Sequence, residues 1–440
     1  MNSEKHLSHP KYRADIDGLR AIAVLSVVGF HAFPEWITGG FIGVDIFFVI
    51  SGYLISTILI QSLEENRFSI VEFYIRRIKR IFPALIFVLI TCMIAGWFVL
   101  FADEYKQLGR QTVGGAGFIS NLILWRDSGY FDVGVESKPL LHLWSLGIEE
   151  QFYFIWPILL FISFRLKGNL LLLTMLVGSI SFGLNIWNIN TNPVATFYSP
   201  QTRFWELLIG AALAYITIHP IPQLDRYRNQ HSFLISSLGL SLITLGISLI
   251  HSQSAFPGWW ALLPTLGSAI IIYAGSHNLI KSQWLSSRLM VFIGLISFPL
   301  YLWHWPALSF AHILAGGAPP LAIRIIAVLL SIGLAWFTYR FIEIPIRKNT
   351  QKNSIVLFLL AFMSICFFTG GWIYLSEGLK WRPINKPFAK LDTKSFSASR
   401  QSDNSCTTKL GLKSISEEVC ISNSSDPITP VSYTHLRAHE

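Results

Sequence analysis

Charge is scarce in this chain: only 13% of its 440 residues are Asp, Glu, Lys or Arg, while 52% are hydrophobic. A soluble domain of this length needs far more charge to cover its surface. The composition therefore argues against a soluble protein and predicts an all-α polytopic membrane protein. The net charge of +9 would suggest nucleic-acid binding in a soluble protein, but basic loops that orient membrane helices explain it here, and we expect no nucleic-acid partner.

Cysteine is also scarce. Cys92 and Cys366 lie inside apolar runs, as ordinary core residues do. Cys406 and Cys420 lie in the polar tail, where they would form a disulfide if the tail is outside the cytoplasm; two free thiols are the alternative. The sequence has no evident repeat with a period of roughly 20 to 50 residues, and we predict no metal site.

Eleven apolar segments are long enough to cross a hydrocarbon core of about 30 Å as helices. They are residues 17–35, 40–60, 81–101, 140–163, 169–187, 203–218, 233–250, 259–275, 291–314, 321–341 and 355–375. The segment 106–126 contains glycines and Arg110, so we interpret it as interfacial or re-entrant. The polar N-terminus precedes an apolar segment that has no small-residue cleavage site, which predicts a retained first helix.

The distribution of basic residues predicts the orientation. If the N-terminus is cytoplasmic, the inner loops carry Lys and Arg, whereas the short outer loops near residues 36, 190, 255 and 317 carry none. This asymmetry agrees with the positive-inside rule. An odd number of spans then places the tail beyond residue 376 outside the cytoplasm.

The first span, GLRAIAVLSVVGFH, carries Arg20 near one end and His31 at the other. Their separation turns a helix by about 1100°, or ~20° beyond three full turns, so both share one face and lie about 16 Å apart along the axis. Ionisable groups inside a membrane are functional candidates. The alternatives are an arginine that snorkels to anionic lipid and a histidine satisfied by a backbone carbonyl.

Asp45 lies in the second span, close to the outer turn at residues 39 and 40. A hairpin of two antiparallel helices would bring Asp45 to the depth of His31. A carboxylate beside an imidazole raises its basicity and fixes its tautomer, as a general base requires. A structural pair that locks the hairpin is the alternative.

The stretch FYIRRIKRIFP places four cations within five residues, among them Arg76, Arg77 and Arg80. Neighbours at i, i+3 and i, i+4 on a helix share a face, and such a cluster could grip phosphates. Orientation of the membrane helices explains the same charges equally well.

The stretch PLLHLWSLGIEEQFYFIWP places Glu149 and Glu150 near the middle of an apolar helix. Each carboxylate would cost roughly 2.5–3.5 kcal/mol there unless it is paired or hydrated, so the pair indicates a polar cavity. FPLYLWHWP adds His304, and YRFIEIPIR adds Arg340 and Glu343, which we interpret as a structural ion pair.

Six stretches together resemble the membrane acyltransferase family 3: DGLRAIAVLSVVGFH, GGFIGVDIFFVISGYLI, FYIRRIKRIFPAL, LHLWSLGIEEQFYFIWP, LISFPLYLWHWP and YRFIEIPIR, in the family's order. The resemblance covers residues 12 to 378 and is closest to bacterial O-acetyltransferases with a fused extracytoplasmic SGNH domain. It implies an acyltransferase domain over residues 1–350, an additional helix over 351–378, and a linker with the start of an SGNH domain over 379–440. No Gly-Asp-Ser motif occurs, so we expect a truncated SGNH domain whose last ten or so residues are non-native.

The same resemblance implies acetyl-CoA as the cytoplasmic donor. Hydroxyls of a cell-envelope glycan, such as lipopolysaccharide O-antigen, peptidoglycan or a lipid-linked oligosaccharide, would be the acceptor. It further implies a multi-pass protein of the bacterial inner membrane, surrounded by its lipids. Its motif residues imply catalytic roles for His31, Asp45 and Glu149, and donor binding by Arg20, Arg76, Arg77 and Arg80.

Two other functions fit parts of the pattern. A transporter or flippase for a lipid-linked glycan would use intramembrane His and acidic residues as proton relays, but it predicts an inverted repeat that we do not find. A non-catalytic scaffold would use the polar residues only to pack helices.

Overall fold

The computed structural model describes residues 12–127, 134–275, 284–349 and 352–385, together with the backbone of two short strands. The strands β1 (Cys420–Ile421) and β2 (Thr429–Pro430) pair in antiparallel fashion. The side chains of Cys406 and Cys420, and with them the predicted disulfide, lie outside the described residues.

Helices make up most of the described chain. In the first half they are α1 (Ala14–Ala32), α2 (Gly43–Glu64), α3 (Ile70–Val99), α4 (Ala102–Ala116), α5 (Ser120–Asp127), α6 (Leu143–Arg165) and α7 (Leu170–Asn188). In the second half they are α8 (Pro193–Tyr198), α9 (Pro200–Ile218), α10 (Pro222–Leu249), α11 (Leu262–Ala274), α12 (Arg288–Leu295), α13 (Ser297–Ala315), α14 (Leu321–Phe337), α15 (Ile344–Lys348) and α16 (Lys352–Leu375). A π-helical turn, Thr338–Glu343, joins α14 to α15.

Sequence signals mark several helix starts. The side chains of Ser69, Asn169 and Ser287 accept hydrogen bonds from the backbone N–H three residues later, at the starts of α3, α7 and α12. Such caps satisfy amides that have no acceptor within the helix. Proline occupies the first turn of α8, α9 and α10, where its missing N–H costs little.

Seven helices of the described chain are long and apolar enough to cross a membrane, and the pair α12–α13, bent by 67°, would form an eighth span. Helices also lie at the other three predicted segments. However, α1 and α9 carry several ionisable residues near their starts, and α11 has only 13 residues. The all-helical membrane class is therefore confirmed, whereas eleven crossings and the orientation stay predictions.

Helices α2 and α9 pack with their backbones in direct contact. A Cβ atom on Gly52 would lie 1.8 Å from the carbonyl oxygen of Leu207, and one on Gly210 would lie 2.1 Å from that of Val49. Small residues at membrane helix interfaces permit this approach. The contact sets the rotation of both helices and thereby the partners of their polar side chains.

The predicted interfacial segment 106–126 forms two short helices. Helix α4 packs against α3 and α16, and α5 packs against α6. Lys106 on α4 donates hydrogen bonds to Glu377 at 2.7 and 2.8 Å, which lowers the pKa of this exposed carboxyl. The chain beyond α16 is thus tied to α4.

Arg382 anchors the same segment to the end of α3. Its buried guanidinium donates to the carbonyl oxygens of Gly96, Trp97 and Leu100 at 2.8 to 3.2 Å, and it lies 4.1 Å above the ring of Tyr105. These carbonyls lie at the C-terminal end of a helix, which favours a cation.

Candidate active site

A cavity of about 280 Å³ lies between α1, α2, α3, α6 and α13. Its wall is mainly apolar, and its polar residues are Arg20, Ser51, Arg77, Arg80, Ser145, Glu149, Tyr153, Ser297 and Tyr301. A few convergent polar groups in an apolar pocket are typical of a small-molecule site. Under the predicted orientation, the arginines of the cavity lie toward the cytoplasmic side, whereas Val44 and Ser145 belong to the outer ends of α2 and α6.

Three of the four arginines predicted to bind the donor line this cavity. Arg20 comes from the second turn of α1, and Arg77 and Arg80 are i, i+3 neighbours on α3. Arg20 Nη1 lies 3.3 Å from Asp17 Oδ1, and Arg77 Cζ lies 5.3 Å from the centre of the Tyr153 ring. Three guanidinium groups on one cavity make it suitable for an anion.

Arg76, the fourth predicted donor ligand, differs from the other three. It is absent from the lining of the large cavity and pairs with Glu72 one turn earlier, with Nη2 and Oε1 3.0 Å apart. Both side chains are about one-third exposed, so this pair resembles an ordinary surface ion pair on a helix.

Glu149 lies in the cavity together with Arg77. Its carboxylate accepts hydrogen bonds from the hydroxyls of Ser51 on α2 and Tyr153 on its own helix. The ring of Tyr153 in turn packs under the Arg77 guanidinium. The glutamate pair predicted a polar cavity; Glu149, but not Glu150, contributes to a cavity whose wall is mainly apolar but carries three arginines and several hydroxyls.

His31 pairs with His304. Nδ1 of His31 lies 3.0 Å from Nε2 of His304, and the two rings are stacked with centres 5.2 Å apart. His304 is fully buried, His31 is partly buried, and Trp305 packs edge-on against His31 at 4.5 Å. A third imidazole, His142, lies 5.7 Å from His304 between ring centres.

The backbone around His304 determines which nitrogen carries its hydrogen. Nδ1 of His304 lies 2.7 Å from the carbonyl oxygen of Tyr301 and 3.3 Å from that of Leu300, and carbonyl oxygens only accept. A neutral His304 therefore holds its hydrogen on Nδ1 and accepts at Nε2. His31 must then donate from Nδ1, which leaves its Nε2 lone pair for chemistry.

A layer of side chains separates the cavity from His31. Tyr301 lines the cavity, its ring lies 5.4 Å from that of His304, and its hydroxyl lies 2.6 Å from Ser145 Oγ. The Tyr301 hydroxyl also bonds the carbonyl oxygen of His142 at 2.9 Å. His31 does not belong to the lining, so the cavity stops short of it at Tyr301.

Asp45 has a different partner from the one expected. Its Oδ1 lies 3.1 Å from Nη2 of Arg203, whose Nη1 lies 3.1 Å from Glu206 Oε1, and all three side chains are buried. His31 is paired with His304 instead. The predicted contact between Asp45 and His31 is therefore wrong, because close packing of α2 against α9 turns Asp45 toward Arg203.

Arg203 is enclosed by aromatic rings as well as by carboxylates. Its Cζ lies 5.5 to 5.7 Å from the ring centres of Phe48, Trp144, Phe197 and Phe256. The faces of such rings attract a cation, most strongly where water is excluded. This cluster joins α2, α6 and α9 beside the cavity.

Sequence reasoning missed three of these partners. It noted His304 but assigned it no partner, and the histidine occurs 273 positions after His31. It did not weigh Arg203 and Glu206, although an i, i+3 pair of opposite charges within a predicted span is a visible signal. Glu343, expected to pair with Arg340, is buried among the charges of Arg347, Arg80 and Arg20.

The described residues contain no group of three or more His, Cys, Asp or Glu side chains that could hold a metal ion. The polar residues that line the cavity carry guanidinium, carboxylate and hydroxyl groups.

Two proteins of Staphylococcus aureus whose names contain O-acetyltransferase are similar to this chain. O-acetyltransferase OatA of Staphylococcus aureus strain NCTC 8325 / PS 47 is 33% identical over 359 residues, which cover 78% of this chain and 58% of the relative. The protein SAS0844 of strain MSSA476 is 34% identical over 368 residues, covering 80% of this chain and 60% of the relative. The chain thus spans about three-fifths of the length of these relatives. No solved structure matches it.

The acyltransferase domain family matches residues 13–340, a range that contains every residue of the cavity and the histidine pair. This match covers well over half of the chain. The protein therefore belongs to the acyltransferase family defined by this domain.

Proposed function

We propose that the chain is a membrane O-acyltransferase that moves an acetyl group from acetyl-CoA to hydroxyls of a cell-envelope glycan. Relatives named O-acetyltransferases favour this reaction. The observation that carries the choice of donor is the cavity lined by Arg20, Arg77 and Arg80. Guanidinium groups bind phosphates through charge and paired hydrogen bonds, and CoA carries phosphates at its nucleotide end.

The size of the cavity suits only part of the donor. Its volume of about 280 Å³ is near the lower limit of ordinary ligand pockets, roughly 300–1,000 Å³. The narrow pantetheine arm would occupy it, and the nucleotide would stay at the arginines near the predicted cytoplasmic face. An ionised Glu149 accepts hydrogen bonds and donates none, so it would accept hydrogen bonds from N–H groups of the arm.

His31 would be the general base. Its Nε2 lone pair takes the proton of the acceptor hydroxyl as the hydroxyl oxygen bonds to the thioester carbonyl carbon. The carbon–sulfur bond then breaks, and the proton held on Nε2 passes to the sulfur of CoA. His304 would hold His31 in the required tautomer through the 3.0 Å hydrogen bond.

Transfer requires the layer at Tyr301 to open, because the cavity ends there. Ser145 and a backbone carbonyl hold the hydroxyl of Tyr301. A rotation of the Tyr301 side chain that breaks these hydrogen bonds would connect the cavity with His31. Asp45 would contribute indirectly, by fixing α2 against α9 through Arg203.

We place the protein in the bacterial inner membrane, in contact with its lipids. The acceptor would be a glycan or a lipid-linked oligosaccharide on the outer side. The outer position of the acceptor follows from the predicted orientation, in which the arginines face the cytoplasm and His31 lies toward the opposite end of α1.

Transfer of labelled acetyl groups from acetyl-CoA into isolated cell envelopes tests the proposal. Envelopes with the wild-type chain should be labelled, and His31→Ala should abolish the labelling. His312→Ala on α13 is a matched control, because His312 lies in the last turn of that helix, two turns beyond His304. Labelling that survives in His31→Ala at equal protein level would exclude His31 as the base, and export of a lipid-linked glycan without acetylation would favour the transporter.

A further inference from the structure

The ninth predicted span is broken where it meets the cavity. Helices α12 and α13 are separated by Ile296 and bent by 67°. The break places Ser297, Phe298 and Tyr301, all from the first two turns of α13, on the cavity wall. Broken helices in membranes occur where the freed backbone groups face protein or a cavity.

Tight packing holds this break in place. A Cβ atom on Gly294 would lie 2.0 Å from the carbonyl oxygen of Asp17, so α12 touches the backbone of α1. Asp17 lies one turn before Arg20, which lines the same cavity. The start of α13 is therefore positioned relative to the arginine end of the cavity.

Ser297 has an unusual environment. Its side chain is fully buried, it lines the cavity, and its Oγ has no hydrogen-bond partner among the described residues. Ser26 Oγ, by comparison, donates to the carbonyl oxygen of Ala23 at 2.9 Å; Ser120 Oγ is the other buried serine hydroxyl of the described residues without a partner, and it lies outside this cavity. A buried hydroxyl without a partner costs free energy, so it indicates a partner that binds there.

The backbone at this point also offers donors. Leu300 is the first residue of α13 whose N–H bonds a carbonyl four residues earlier, that of Ile296. Ser297 and Phe298 lie in the first turn, where an N–H group has no acceptor within its own helix, and Pro299 has no N–H. The start of this 19-residue helix thus presents a hydroxyl, two amides and the positive end of the helix dipole.

We propose that Ser297 and the first turn of α13 bind a carbonyl oxygen of the pantetheine arm of the acyl donor. This inference rests on the proposed function, because it takes a CoA thioester as the donor. The position of Ser297 along α13 favours an amide carbonyl of the arm over the thioester carbonyl as its ligand. Ser297 precedes His304 by seven residues, or about 10 Å, which is too far for the carbonyl that reacts beside His31. The amide carbonyls of the arm lie between the phosphates and the sulfur, as Ser297 lies between Arg20 and His31.

Binding of two ligands by the purified full chain tests the inference. CoA contains the arm, whereas 3′,5′-adenosine diphosphate contains the nucleotide end alone. Ser297→Ala should weaken CoA binding about 3- to 10-fold, the loss of one hydrogen bond, and leave the affinity for the nucleotide unchanged. Ser297→Thr keeps the hydroxyl and should retain wild-type affinity for CoA.

Two controls separate binding from folding. Ser309→Ala on the same helix removes a buried hydroxyl that already donates to the carbonyl oxygen of Glu136 at 2.6 Å, and it should change neither affinity. Without ligand, Ser297→Ala should not lower the melting temperature, because no protein hydrogen bond is lost.

An unchanged CoA affinity in Ser297→Ala, or an equal loss for both ligands, would overturn the role of Ser297 while leaving the donor intact. If the wild-type chain bound neither ligand, the donor itself would be wrong, and both proposals would fall.

Discussion

Two replacements of His304 distinguish the effect of its hydrogen bond to His31 from the effect of its packing. Glutamine reaches as far as Nε2 of histidine, so the side-chain oxygen in His304→Gln can still accept the hydrogen of His31 Nδ1. Asparagine reaches only as far as Nδ1, so the side chain in His304→Asn can still donate to the carbonyl oxygen of Tyr301 but offers His31 nothing. The two variants have similar polarity. His304→Gln keeps the 3.0 Å bond to His31, whereas His304→Asn keeps the 2.7 Å bond to the carbonyl oxygen of Tyr301.

The expected difference follows from that bond. A hydrogen bond of this kind contributes about 0.5–1.5 kcal/mol, which corresponds to roughly 2- to 12-fold in rate if it acts only in the transition state. An unconstrained imidazole in His304→Asn would also populate the wrong tautomer. We therefore expect kcat to fall about 10-fold or more in His304→Asn and to stay within about 3-fold of wild type in His304→Gln.

Steady-state kinetics with labelled acetyl-CoA measures this difference. The KM for acetyl-CoA should stay unchanged in both variants, because His304 lies beyond the donor cavity. The pH profile of kcat should move in His304→Asn alone, since the charged form of His31 loses an acceptor there. Equal losses in the two variants, or a rise in KM in place of a fall in kcat, would refute the tautomer argument and leave His304 a packing residue.

Three further predictions, two of them with a matched control variant, test other parts of the structure. Arg77→Gln should weaken acetyl-CoA binding about 10-fold, whereas Arg76→Gln, outside the large cavity, should change it less than about 2-fold; equal losses in titration would contradict the cavity assignment. Arg203→Met should lower the free energy of unfolding by about 3–5 kcal/mol by leaving two buried carboxylates uncompensated, and an unchanged melting temperature would argue against the ion pairs. Gly210→Leu should abolish folded protein, because a Cβ there meets backbone, whereas Gly183→Leu, with nothing within 4 Å, should be tolerated in a size-exclusion assay.

Local patterns in the sequence predicted local features well. Low charge and long apolar runs indicated the membrane class, because a hydrocarbon solvent leaves few alternatives to helices. The i, i+3 spacing placed Arg77 and Arg80 together on one face of a helix, and both line the cavity. The cost of burying Glu149 indicated polar partners around it, and the hydroxyls of Ser51 and Tyr153 are such partners on the cavity wall.

Partners from distant parts of the chain could not be predicted in this way. Depth in the membrane gives the level of a residue such as Asp45, but not the direction in which its helix faces. That direction depends on packing, here on two glycines where α2 meets α9, and it turned Asp45 toward Arg203, 158 residues away. The bond between His31 and His304 spans 273 residues and likewise depends on how whole helices pack.

The closed layer at Tyr301 has a consequence for the cell. Any continuous passage wide enough for an acyl group would also let water and ions leak through and would discharge the proton gradient. If acetyl groups cross the membrane as proposed, the Tyr301 ring held by Ser145 would limit this leakage while no donor is bound. If the layer at Tyr301 opened only around the acyl group in transit, that group would itself fill the opening and exclude water and ions.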